Sequence, residues 1–135
     1  MENADENYDV MEQLAKVEEE NAKLERIEQQ KRILRRQFTK LDAKMKKTAA
    51  SLIENAAFMI VTLEDLQAEI NRHGAVSTYQ NGENQWGTKK SPEVEIYNTM
   101  IKNHMTIMKQ LTDLLPKQPI NNKEGDGFEE FVNDR

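Results

Sequence analysis

Residues 49–70, AASLIENAAFMIVTLEDLQAEI, are the most apolar stretch of an otherwise polar chain. Within it, Ala56 through Val61 are apolar on every face, and a helix of that kind must be enclosed by other elements. The run is too short to cross a bilayer, and Glu54, Asn55, Glu64 and Asp65 bracket it. The pattern predicts a buried central helix whose core residues are Leu52, Ile53, Phe58, Met59, Ile60, Leu63 and Leu66, with Ile70 extending one face. The rest of the chain has too few apolar residues to wrap that helix, so other copies are expected to complete the core.

Before this stretch the periodicity is that of a long helix from about Val10 to Lys47. Val10, Val17, Leu24, Lys31, Phe38 and Met45 recur every seven residues, with Ile27, Leu34 and Leu41 three further on. That is a coiled-coil-like stripe, good from Leu24 to Met45 and poor before it, where Gln13 and Glu20 fill the second position. The first 20 residues are expected to be frayed or disordered. A break near Lys47-Thr48, with Thr48 as N-cap of the central helix, is favoured over one uninterrupted helix. The central helix should end at His73-Gly74, glycine supplying a left-handed cap.

Beyond Gly74 the character changes. Val76, Thr78 and Tyr79 lead to Asn81-Gly82, a type I′ turn signal, followed by Gln85-Trp86. This predicts a short β-hairpin leaning on a neighbour, with Trp86 as its packing anchor. Ser91-Pro92 then opens a third helix, serine at the N-cap and proline at the first position, with Glu93 and Glu95 in its positive first turn. Its apolar residues include Tyr97, Ile101, Met105, Met108 and Leu111, and Pro116 stops it. Tyr97, Ile101, Met108 and Leu111 join the expected oligomer core. The predicted fold class is all-α: long helices, a coiled-coil-like first helix, a buried central helix, a small hairpin or loop, and an antiparallel C-terminal helix. In domain terms an acidic flexible segment (1–20), a helical oligomerisation domain (21–116) that also holds the basic block, and a disordered tail (117–135) are expected.

Composition narrows the chemistry. Cysteine is absent, so disulfides and thiolate catalysis are excluded, and the acidic start is not a secretory signal; a cytoplasmic address is expected. His73 and His104 are isolated, and there is neither a phosphate-binding GxxxxGK[ST] loop nor an HExxH or cysteine pair for a metal. No catalytic residue, metal or cofactor is expected, and the chain reads as a non-enzyme. His73 is expected to serve the helix cap and His104 to be a satisfied surface residue. The methionines lie at helical spacing and read as core filler.

Charge is the informative feature. The net of −5 conceals residues 1–20, with eight acids against Lys16, and residues 21–50, with ten bases against Glu25, Glu28 and Asp42. Arg32, Arg36, Lys40, Lys44 and Lys47 fall at helical spacing, flanked by Lys31, Arg35 and Lys46. Like charges four apart weaken an isolated helix. Two readings follow: a solvated face helped by acids from another helix, or a track that contacts nucleic-acid phosphates. No recognition-helix pattern for base readout accompanies it.

The order of elements, and above all residues 52–117, resembles the small terminase subunits of tailed bacteriophages. The resemblance rests on the helix ending at Asn71-Arg72-His73-Gly74, the polar hairpin through Tyr79-Gln80-Asn81-Gly82, the Lys89-Lys90-Ser91-Pro92-Glu93 entry, and the helix from Ile96-Tyr97-Asn98 to Leu114-Leu115-Pro116. Family members often finish with Leu-x-Pro-x-x-Arg; here Pro116 is followed by Lys117-Gln118-Pro119 and the basic residue is missing. The resemblance implies a non-catalytic, ring-forming homo-oligomer in an infected bacterial cell. Such a protein binds double-stranded viral DNA and presents it to a large terminase subunit that supplies ATPase and nuclease activity. The DNA-binding residues would then be Lys31, Arg32, Arg35, Arg36, Lys40, Lys44, Lys46 and Lys47. The competing expectation is a coiled-coil adaptor or scaffold without nucleic-acid binding, its basic stripe meeting acidic partners. Neither involves a membrane.

Overall fold

The computed structural model describes residues 2–117. The expectations for the tail beyond Lys117 lie outside the described residues. The chain is mainly helical: α1 (Glu2–Gln37), α2 (Ala43–His73), β1 (Val76–Gln80), β2 (Trp86–Lys90) and α3 (Pro92–Leu114).

Residues 2–20, expected to be frayed, are the first turns of α1. They contain no glycine or proline, and Glu12 pairs with Lys16 one turn on at 3.2 Å. The break between the first two helices comes earlier than predicted, at residues 38–42. Asp42 is the N-cap, its carboxylate oxygen accepting the Met45 amide at 2.8 Å. Thr48 lies inside α2, its hydroxyl donating to the Lys44 carbonyl of the preceding turn at 3.5 Å. The early break lets α1 fold back on α2. Ile27, Leu34, Phe38 and Leu41 become buried against Ala49, Ile53, Ala56 and Ala57. Arg26 reaches Asp65 while Lys31 reaches Glu54, so the two helices run antiparallel.

Helix α2 is the element on which both other helices pack. Ala56 and Ala57 are wholly buried, and their small side chains admit close helix approach. The all-round apolar run is only partly enclosed, however. Val61 and Leu63 are buried, Met59 and Ile60 half-buried, and Phe58 is 47% exposed. Leu52 and Leu66 are half-buried.

Helix α3 lies antiparallel to α2. Ser91 at its start bonds Gly74, Gln67 donates to the Tyr97 hydroxyl at 3.0 Å, and Leu111 closes the core at the far end, with Met108 beside it. Gly74 caps α2 with its N–H on the Ile70 carbonyl at φ 82°, ψ 169°. Its φ is positive as predicted, but ψ is extended, so the chain leaves straight into β1 rather than through a left-handed cap. Ser91 is not a side-chain N-cap: it is buried, and its hydroxyl donates to the Gly74 carbonyl at 3.0 Å.

The strands pair antiparallel in the register Val76↔Lys90, Thr78↔Thr88 and Gln80↔Trp86. The connection is a five-residue loop closed by the Asn81 amide on the Gln85 carbonyl at 2.7 Å. Asn81 does not take positive φ, so the two-residue I′ turn is not formed; only Gly82 does, at 105°. Nor does Trp86 anchor the hairpin: it is 69% exposed, and the ribbon is solvent-open on both faces. The aromatic contact within it is the Tyr79 ring lying over Gly87 of the opposite strand.

Candidate functional site

The earlier break changes the shape of the basic region. One helix spanning Arg32 to Lys47 would carry a track roughly 22 Å long. Instead Arg32, Arg35 and Arg36 sit on the last turns of α1, Lys40 in the turn, and Lys44, Lys46 and Lys47 on the first turns of α2. The fold-back gathers these seven cations at one tip of the molecule. All seven are exposed, and none is ion-paired among the described residues. Arg32 directs its Nε to the Glu28 carbonyl at 3.4 Å.

Lys31 stands apart from them. It is largely covered and lies 3.0 Å from Glu28 and 3.6 Å from Glu54 across the helix pair. The hydrogen bond that Lys31 donates to Glu28 holds the Lys31 ammonium above the usual lysine range and draws the Glu28 carboxyl below its own. Lys31 is a neutralised member of the helix contact.

The tip has a second source of positive potential. The first turn of α2 presents free amides and the positive end of the helix dipole, with no acid in it. Lysines at a helix start are unfavourably placed against that dipole. Asp42 is the one acid among residues 32–48, and its carboxylate is engaged by the Met45 amide. Beside the cations a cleft of about 350 Å³ opens between the helices, walled by Phe38, Leu41, Ala49 and Ile53 and rimmed by Arg35, Lys46 and Glu54. The assembly suits an extended polyanion: seven exposed cations, little competing negative charge, and an apolar floor for their stems.

The residues expected to build an oligomer core are divided by the fold. Ile53, Leu63 and Leu111 are buried within the chain itself. Tyr97, Ile101 and Met108 are half-buried, and Phe58 is exposed beneath the Lys23 ammonium, 5.2 Å from the ring centre.

His73 accepts its expected place in the last turn of α2, its Nε2 3.2 Å from Glu69. His104 departs from expectation: its Nε2 is buried without a hydrogen-bond partner among the described residues, and desolvation lowers its pKa. Among the described residues no group of three or more acidic or histidine side chains is placed to hold a metal, and no helix is long and apolar enough to cross a membrane. Asp42 was missed as the helix start, although an Asp directly before a helical segment is a legible cap signal. Compared with protein-family models, with curated proteins and with solved structures, the chain matches none.

Proposed function

We propose that the chain is a non-catalytic DNA-binding subunit, of the small terminase type, that holds duplex viral DNA for a large subunit carrying the ATPase and nuclease. The observation that carries the binding part is the tip: seven exposed cations, none ion-paired among the described residues, gathered by the fold-back at the start of α2. Phosphate contacts of this kind release condensed counterions, so binding is salt-dependent and largely indifferent to sequence. Exposed apolar surface on α1 and α2 supports assembly into a homo-oligomer, which would add weak contacts by multivalency. The packaging role itself rests on the resemblance of residues 52–117.

The test is duplex-DNA affinity across a salt series, for the natural chain and for Arg36→Gln, Lys40→Gln, Lys44→Gln combined. The triple variant should lose affinity and flatten the logarithmic salt slope by about 0.9 for each phosphate contact removed. Lys89→Gln with Lys90→Gln, at the other end of α2, should change neither. Salt-independent affinity in the natural chain would exclude the tip as the DNA site.

The adaptor reading keeps one specific observation in its favour. Val10, Leu14, Val17 and Leu24 of α1 are each more than half exposed, as on a helix that pairs with another.

A further inference from the structure

Helix α1 carries two apolar stripes, and the described residues cover one. At about 100° per residue, Ile27, Leu34 and Phe38 share the bearing that faces α2. Val10, Leu14, Val17 and Leu24 lie on a second bearing roughly 100° round the helix, each more than half exposed. Asn21 falls on the same line. On the α2-facing bearing the first turns carry Gln13, Lys16 and Glu20 instead. The antiparallel register of the helix pair also places the end of α2 opposite about residue 18 of α1, so the turns before it project as a free arm.

We infer that this second stripe is a dimer interface in which α1 of one copy lies antiparallel along α1 of another. Charge decides the direction. The arm carries Asp5, Glu6, Asp9 and Glu12, and the other end of the helix carries Arg32, Arg35 and Arg36. Parallel pairing would set acids beside acids and the two cationic tips beside each other. Antiparallel pairing sets each acidic arm against the basic end of the partner helix. A register slid by one residue from full overlap of the two helices places Leu14 against Leu24 of the second copy, and the reverse by symmetry. Val17 then meets Asn21 of the second copy.

Two consequences follow from the geometry. Because α1 is one unbroken helix, Asp9 sits roughly 40 Å from Arg36 of its own chain. The acidic arm therefore shields a cationic tip only in trans. The dimer also carries its two tips at opposite ends of the shared helix pair, about 50 Å apart. Lys40, Lys44, Lys46 and Lys47 stay clear of the contact. The pairing engages Arg32, Arg35 and Arg36, which the proposed DNA tip also uses, so its test contains no nucleic acid.

The chain has no cysteine, so single cysteines can report the pairing. An equimolar mixture of full-length Leu14→Cys and Leu24→Cys chains, oxidised at low salt, should form a disulfide-linked dimer joining one of each. Leu14→Cys alone should remain uncrosslinked, since its two copies would lie about 15 Å apart. Mass in solution should correspond to two chains, with the dimer loosened by salt, and Leu14→Glu with Leu24→Glu should weaken it more than about a hundredfold at unchanged helicity. A monomeric mass for the natural chain, cross-linking of Leu14→Cys with itself, or no cross-link in the mixture would overturn the pairing.

Discussion

Arg26 of α1 and Asp65 of α2 meet across the helix pair, the Arg26 Nη1 donating to the Asp65 Oδ1 at 2.7 Å while its Nη2 donates to Glu64 at 2.8 Å. This forked contact fixes which turn of α1 lies beside which turn of α2. Its contribution to stability is nonetheless small, because Arg26, Asp65 and Glu64 each remain about half exposed and water and salt screen the charges. Arg26→Gln should cost less than about 1 kcal/mol in denaturant unfolding, and the deficit should shrink in high salt. Leu34, 3% exposed in the same contact, has no such compensation from solvent. Leu34→Ala should cost about 2–5 kcal/mol. Were Arg26→Gln the more damaging of the two, apolar packing would not be what holds the helix hairpin closed.

Ser91 links the base of the β-ribbon to the start of α3. Its buried hydroxyl donates to the Gly74 carbonyl, its amide donates to the Ala75 carbonyl at 3.0 Å, and its own carbonyl accepts from Val94 at 3.0 Å. Ser91→Ala removes the hydroxyl and leaves a carbonyl at the end of α2 short of a donor. The expected loss is about 1–2 kcal/mol, seen as a Tm lower by several degrees. Ser91→Thr keeps the donor but adds a methyl to a buried site, so it should recover only part of that loss.

Gly87 has no room for a side chain. A Cβ there would stand 2.7–2.9 Å from the ring of Tyr79, which lies over it from the paired strand. Gly87→Ala must therefore push the Tyr79 ring aside and uncouple it from the Lys89 ammonium, 5.7 Å from its centre. The ribbon has little else to hold it, since two strands alone are marginal. Trp86, next to Gly87 in sequence, is the chain's one tryptophan. Its fluorescence should change in Gly87→Ala while the helical circular dichroism stays as it was. Unchanged fluorescence would mean the ring gives way without disturbing the strand.

The contrast between stripes that pack and stripes that do not explains where the sequence was a sound guide. The strongly periodic helices were legible because Ile27, Leu34, Ile53 and Leu111 recur at helical spacing and reach the core. The seven-residue repeat through Val10, Val17, Leu24 and Phe38 is used only in part within the chain. Phe38 packs against α2, whereas Val10 and Val17 lie on turns that run past the end of α2, and drift of about 20° per heptad carries Leu24 off the α2-facing line. The break at 38–42 was hidden by Thr48, a weaker cap residue than Asp42 but better placed against the apolar run. The cations of the tip were visible as residue types. Their clustering was not, since it depends on the turn, and a continuous stripe and a folded tip share one sequence pattern.

His104 supplies a pH signature for the α2–α3 contact. Among the described residues its Nε2 is buried without a partner, and Thr62 Oγ1 is likewise unsatisfied on α2. The antiparallel register set by Gly74–Ser91 and Gln67–Tyr97 brings position 104 opposite the turn of α2 that carries Thr62. Desolvation disfavours the imidazolium, so the folded pKa lies below the ordinary histidine value of about 6.5. As pH falls from above 6.5, the unfolded chain takes up the proton first and stability declines. The decline continues until pH has passed through the lower folded pKa, where both states are protonated. Stability is thus fully present at neutral pH and lost on acidification. His104→Leu removes both the titrating group and the unpaired nitrogen, so the variant should show a flatter Tm profile between pH 7 and about pH 5. Parallel profiles for the two proteins would mean that the imidazole accepts its proton in the folded state as readily as in water.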